Sequence, residues 1–284
     1  MSMILNFTKM QGLGNDYVYV DCSKKSPAEI KAIASLAHRI SNRHFGIGSD
    51  GLILICESQV ADFKMIMYNS DGTQAEICGN GIRCVGKFVF DKKLTQKKNI
   101  KIETLAGVKE LTLFEDRKGQ IQEVRVNMGV PIFEADKIPV ISKSKIVNNL
   151  LLTAEDKKFN FTCLSMGNPH AVTFINNLDD FDIEKYGKPL EKDSHFPQKA
   201  NIEFVEIIDE TTLKMRVWER GSGETLACGT GASAVCVAAT INGYCPQNEI
   251  ITIKLLGGDL KIKWDNEVFM TGPATTVFEG EIQI

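Results

Sequence analysis

The chain has no Cys-x-x-Cys pair and no histidines at metal-ligand spacing: His38, His44, His170 and His195 are scattered, so a metal centre is not expected. It also lacks a long apolar run. The longest, near Ala234 to Ile241, falls far short of the roughly 18 residues that a membrane-spanning helix needs, and no membrane partner is expected. No single sign of charge dominates. A net charge of −3 and a pI near 5.9 argue against a nucleic-acid partner. The densest basic cluster (Lys92, Lys93, Lys97, Lys98) reads as a solvated helix exit. The opening MSMILNFTKMQGLGNDY has neither a long apolar region nor a small-x-small cleavage pattern, so it reads as a first strand rather than a signal peptide. The eight cysteines are then expected as reduced thiols and the protein as cytoplasmic.

What is present is an ordinary globular balance, 43% hydrophobic and 24% charged, over 284 residues, enough for one large domain or two. It is also a duplication. MYNSDGTQAEICGNGIRCVGKF and VWERGSGETLACGTGASAVCVAA superpose after a slide of 150 positions, without a gap. Cys228 falls on Cys78, Gly229 on Gly79, Gly231 on Gly81, Val235 on Val85 and Glu219 on Asn69.

Strand-like runs occupy residues 3–9 and 17–22, parted by a Gly-Asn-Asp turn at 11–16. Ser26-Pro27 opens a helix with Ile30, Ile33, Ala34, Ala37 and Ile40 on one face. LILIC and DFKMIMYN read as strands, and a helix should begin within a residue or two of Cys78, since Ile82, Val85 and Val89 recur at helical spacing. IKIET, KELTLF and IQEVRVN follow, then a Gly-Pro joint at 128–131. The second half repeats the plan. FTCLSMGNPHAVTFI gives strand, Gly-Asn loop and strand, and residues 203–208 and 212–218 give two more strands. A helix with Ala232, Val235, Cys236 and Ala239 is capped by Asn242-Gly243, and ITIKLL, DLKIKW and EVFMTG close the series. Many strands with one central helix per half indicate an α+β fold of two pseudo-symmetric domains: 1–127, completed by about 275–284, and 128–274.

A thiol at a helix N-terminus sits beside unpaired N–H groups and the positive end of the dipole, which favour thiolate. The following glycines let a ligand approach the backbone, and the same N–H groups suit a carboxylate. Two such thiols on opposite faces of one carbon could invert it, one removing a proton and the other supplying one. Cys56, Cys84, Cys163, Cys236 and Cys245 read instead as core residues, and Cys22 as a strand end without a partner. On pattern alone, Cys78 and Cys228 could also merely mark tight helix–strand packing.

QGLGNDY, NSDG-x₅-CGNGIRC, GNPH, ANIEF and ERGSGETLACGTG, in this order along essentially the whole chain, resemble diaminopimelate epimerase. The resemblance implies a fold of two similar domains, each a curved, mostly antiparallel sheet around a central helix, with the active site in the cleft and the last residues crossing back to the first domain. It implies a homodimer and a cofactor-independent, pyridoxal-phosphate-free epimerase of lysine and cell-wall precursor biosynthesis. The substrate would be the small molecule 2,6-diaminopimelate, interconverted between its LL and meso forms.

Carried over position by position, Cys78 and Cys228 are the acid/base thiols, and His170 and Glu219 tune them. Asn15, Asn69, Gly79, Asn80, Asn168, Asn201, Glu219, Arg220, Gly229 and Thr230 bind substrate. In physical terms, backbone N–H groups of Gly79, Asn80, Gly229 and Thr230 would hold the reacting carboxylate where charge develops. Glu219 would pair with the α-ammonium, and Arg220 would fork to the distal carboxylate. Gly51 departs from the family pattern, in which some members carry a substrate-contacting Gln. Lys9, Asp16 and Asp50 are read as structural. Competing readings are a proline or hydroxyproline racemase, a thiol redox sensor, and an amino-acid-binding module.

Overall fold

Alternation of apolar and polar residues makes the strands, and the repeat makes them twice. FKMIMYN (Phe63–Asn69) and LKMRVWE (within Thr212–Glu219) bury alternate residues in the same pattern: Phe63, Met65 and Met67 in one, Leu213, Met215 and Val217 in the other. The computed structural model describes residues 4–283; Met3, expected at the start of the first strand, lies outside the described residues. The chain divides into two compact units, Met1–Val126 with Gly272–Ile284, and Asn127–Thr271. Among the described residues no helix is long and apolar enough to cross a membrane.

In the first unit the strands run, in spatial order, Thr275–Gln283, Ile4–Gly12, Asn15–Asp21, Gly51–Cys56, Phe63–Asn69, Asn99–Thr104, Gly107–Glu115 and Ile121–Gly129. Every neighbouring pair is antiparallel except Asn15–Asp21 with Gly51–Cys56 and Phe63–Asn69 with Asn99–Thr104. The second unit has the same order, from Leu150–Ala154 through Lys157–Ser165, Pro169–Phe174, Asn201–Asp209, Thr212–Glu219, Ile250–Leu255 and Gly258–Trp264 to Val268–Pro273. Its two parallel pairs fall at the matching places.

Five helices lie among the described residues: α1 (Pro27–Ala34), α2 (Ala37–Ser41), α3 (Gly79–Asp91), α4 (Ile183–Glu191) and α5 (Gly229–Ile241). A parallel strand pair needs a crossover: α1–α2 and α4 cross the first parallel pair of each unit, and α3 and α5 the second. The helical spacing from Ile30 to Ile40 predicts a single helix over α1 and α2. The structure breaks it at Ser35-Leu36, yet keeps Ile33, Ala37 and Ile40 on one buried face against Val18, Leu52 and Leu54. Helix α4, whose pattern is diluted by Gly187 and Pro189, is not predicted from the sequence. Nor is the edge strand Leu150–Ala154.

The helices α3 and α5 are buried nearly all round, as central helices must be. α5 touches strands from Lys157–Ser165 to Gly258–Trp264, so its sheet curves around it. Each unit therefore has two cores, one on each face of its sheet. Leu52 and Leu54 pack against α1 and α2, and Ile202 and Phe204 pack near α4 residues Ile183, Tyr186 and Leu190. The alternate residues, Ile53 and Glu203, approach Gly81 and Gly231 at the starts of α3 and α5. Cys22 is not without a partner: it follows a strand paired in parallel to Gly51–Cys56, its N–H donates to Ile55 O at 2.8 Å, and the Cys56 thiol beside it pushes its own thiol up.

Candidate active site

Each repeated cysteine is the N-cap of its central helix, with extended backbone angles (φ −126°, ψ 118° at Cys78; φ −120°, ψ 112° at Cys228). The sulfur takes the place of a capping oxygen: Cys78 Sγ accepts from Gly81 N and Cys228 Sγ from Gly231 N, both at 3.3 Å. No side chain fits at either glycine without displacing a neighbour. A Cβ on Gly81 would stand 2.9 Å from Ile53 Cδ1, and one on Gly231 2.9 Å from Glu203 Oε1 and 3.2 Å from Cys228 Sγ. The first helical turns are thus bare backbone beside sulfur, which suits an anionic group.

Around Cys78 stand the Asn15 amide and the Tyr17 phenol, and the buried Arg83 guanidinium acts on the thiol electrostatically. Cys78 Sγ donates to Asn15 Oδ1 at 2.9 Å, while Asn15 Nδ2 donates to Asp50 Oδ2 at 2.7 Å, so Asp50 dictates which end of the Asn15 carboxamide meets the thiol. Leu13 and Gly14, both at positive φ (58° and 84°), form the tight turn that returns the chain to Asn15. Asp50 belongs to a network with Arg43 and Asp16, the latter paired to buried Lys9 at 2.6 Å. Burial raises the Asp16 carboxyl, but hydrogen bonds from Arg43 and Lys9 outweigh it and hold it below its ordinary value. Tyr17, buried beside Cys78 and Asn15, has its phenol pushed far up, first by burial and then by the Cys78 charge.

Asn80 is held by Arg83, fully buried in α3: Nη1 donates to Asn80 Oδ1 at 3.0 Å. Asn80 is itself buried, so the backbone of Gly79 and Asn80 is what the helix start offers. Asn69 Nδ2 donates to Thr73 Oγ1 at 3.0 Å across a tight turn. At Gly51 a Cβ would lie 2.1 Å from Tyr68 O and 2.9 Å from Tyr17 Cε1, so a side chain there would require the neighbouring strand to shift.

Around Cys228 the surroundings are charged. Glu219 accepts from Thr225 Oγ1, and its charge acts on the Cys228 thiol. Its carboxyl is raised, chiefly by burial, although Thr225 and His170 pull it down. Cys228 is buried, and its thiol is pushed well up, first by burial, then by Glu219 and Glu203; Thr230 and Gly231 N oppose this. His170 lies between acceptors: Nδ1 is 2.6 Å from Glu203 Oε1 and Nε2 is 3.0 Å from Asn168 Oδ1. Asn201 spends its carboxamide on backbone, donating to Pro169 O and accepting from Arg220 N, both at 2.9 Å. Arg220 Nη1 rests at 3.4 Å from Gln198 O.

The second unit thus gathers His170, Asn168, Asn201, Glu219, Thr230 and Cys228, and the first gathers Asn15, Asn80 and Cys78. Tyr17, Asp50 and Glu203 join the site only through the structure. Two of them were visible in principle, since Tyr17 closes QGLGNDY and Glu203 lies inside ANIEF. No group of three or more His, Cys, Asp or Glu among the described residues could hold a metal ion.

A family model described as Diaminopimelate epimerase matches residues 7–134 and 162–277. A Methanococcus maripaludis protein named diaminopimelate epimerase is 57% identical over 283 residues, 99% of this chain and 100% of its own length. An Acetivibrio thermocellus protein of the same name is 54% identical over 284 residues, covering 99% of each. Among solved structures, a Bacillus anthracis phenazine biosynthesis protein of the PhzF family aligns at TM-score 0.72 with 17% identity, over 99% of this chain and 100% of its own. A hydroxyproline epimerase from Agrobacterium vitis aligns at TM-score 0.68 with 12% identity, over 99% and 93%. At such identities these two show a shared fold.

Proposed function

The chain belongs to the diaminopimelate epimerase family, and from that premise we propose that it interconverts LL- and meso-2,6-diaminopimelate by a two-thiol mechanism, with Cys78 and Cys228 as the acid/base pair. The carrying observation is the duplicated N-cap: two sulfurs, each hydrogen-bonded by the backbone of a central helix, each followed by glycines that leave that backbone open.

Inversion requires one thiol on each face of the α-carbon. The substrate's reacting carboxylate is held by backbone N–H groups at Gly79, Asn80, Gly229 and Thr230, where two helix dipoles stabilise the negative charge that grows as the proton leaves. Glu219 takes the α-ammonium. That pairing also activates Cys228, because an arriving cation offsets the carboxylate charge that holds the thiol protonated. Asn15, Asn69, Asn168 and Asn201 fix the remaining polar groups, and Arg220 reaches the distal carboxylate. His170 adjusts the charge around Cys228 and Glu219.

The proposal has the enzyme work without pyridoxal phosphate or any other cofactor, in the cytoplasm, as a homodimer. A second charged end on the substrate distinguishes it from a proline racemase, and Arg220 and Glu219 are the side chains suited to two charged ends.

The test is epimerisation in deuterium oxide. Wild-type enzyme should epimerise and incorporate deuterium at the α-carbon, while Cys78→Ser and Cys228→Ser should each lose about a hundredfold or more of the rate. Wild-type rates in both variants would show the two-thiol reading to be wrong.

A further inference from the structure

Glu203 is a buried carboxylate at a place where the first unit packs an apolar residue. It sits on the fully buried strand segment Asn201–Val205 with no solvent exposure, and its Oε2 has no hydrogen-bond partner. Burying a polar oxygen unpartnered costs free energy. The first unit shows the cheaper alternative. Ile53, 150 positions earlier, occupies the same place beneath the repeated glycine, and each side chain comes within 2.9 Å of a Cβ built there. An apolar residue therefore suffices for packing.

We propose that Glu203 is a positioning residue that keeps the proton on Cys228, so that the two repeated thiols are chemically unequal before substrate binds. This rests on the two-thiol reading. Glu203 Oε1 lies against Gly231, whose N–H caps Cys228 Sγ, so its charge acts at short range on the sulfur in a water-poor setting. Only one of its oxygens is hydrogen-bonded, by the His170 ring at Nδ1, and the buried Oε2 leaves part of the negative charge undispersed. Glu219, from the neighbouring strand, adds a second carboxylate to the same thiol.

The groups facing Cys228 are then Glu203 and Glu219, which oppose thiolate, the Thr230 hydroxyl and Gly231 N–H, which favour it, and His170, which tempers the carboxylates. In the first unit the counterpart of His170 is Tyr17, since Tyr17 pairs with Gly51 as His170 pairs with Asn201. Its counterpart of Glu219 is Asn69. No carboxylate lies at either of those repeated positions. Cys228 thus begins as the acid and becomes a base only when a substrate ammonium offsets its carboxylates.

The experiment is a pH titration of Cys228 alkylation by iodoacetamide, read peptide by peptide in the full-length enzyme without substrate. In Glu203→Gln the midpoint should fall by about one pH unit or more, so that labelling at neutral pH speeds up about tenfold. Glu203→Ile, the residue of the first half, should act in the same direction, and Cys78 should not respond to either. An unchanged Cys228 midpoint in a folded variant overturns the proposal. Should neither variant fold, the wild-type midpoint decides: at or below the free-thiol value of roughly 8.5, the proposal fails. Because no substrate is present, the result is independent of the two-thiol reading. If Cys228→Ser epimerises at full rate, that reading falls while the titration still reports on Glu203.

Discussion

Ile53 and Glu203 hold the same position in the two halves of the chain, each 2.9 Å from a Cβ built on the glycine whose N–H caps the repeated thiol, Gly81 for Cys78 and Gly231 for Cys228. One is a methyl-tipped packing residue and the other a buried carboxylate. The duplication preserved the backbone device and changed the charge beneath it.

Gly81→Ala and Gly231→Ala should therefore differ. At Gly81 the new methyl meets the end of a flexible Ile side chain and at Gly231 a carboxylate held by His170 and the sulfur itself. Both variants should lose about 1–3 kcal/mol of stability from overpacking, measurable by denaturant unfolding. Gly231→Ala should lose more activity per unit of stability lost.

Substrate affinity should follow the ionisation of Glu219. Burial raises its carboxyl, so the ionised form needed to pair with an α-ammonium fades as pH falls through that raised value. KM should climb on the acid side in wild type, and Glu219→Gln should remove that limb while raising KM across the range. A KM profile of the same shape in the variant would exclude Glu219 from the binding step.

Asp50 should matter without touching substrate. It holds Asn15 Nδ2, which leaves Oδ1 for the Cys78 thiol. Asp50→Ala frees the carboxamide to turn, and its activity should fall by about tenfold. Thermal unfolding measured in parallel separates this loss from a general weakening of the Asp16–Arg43 network.

Ser26 tests the crossover helix alone. Its hydroxyl accepts from Glu29 N, and Glu29 returns the bond to Ser26 N at 2.8 Å, a complete capping box. Ser26→Ala should cost about 1 kcal/mol with epimerase activity intact at ambient temperature.

Much of this was legible in the chain. The strand patterns, the starts of α3 and α5 at Cys78 and Cys228, and the Asn242-Gly243 cap follow from local periodicity and turn chemistry. The break between α1 and α2 was not, because Ile33, Ala37 and Ile40 keep a helical spacing across it and only packing against the sheet reveals the kink. The Cys22–Cys56 contact was hidden by a separation that only parallel strand pairing closes.

By itself the sequence determined the duplication, the residue types at each helix start and the family, since these are properties of order along the chain. Only the tertiary structure decided what surrounds each sulfur. Register in the strands places Asp50 against Asn15, Glu203 under Gly231 and a backbone carbonyl where a side chain at Gly51 would go. Electrostatic character depends on distance and burial. Two segments that read almost alike therefore end in different environments: Asn15, Tyr17 and the buried Arg83 act on Cys78, and the carboxylates of Glu219 and Glu203 act on Cys228.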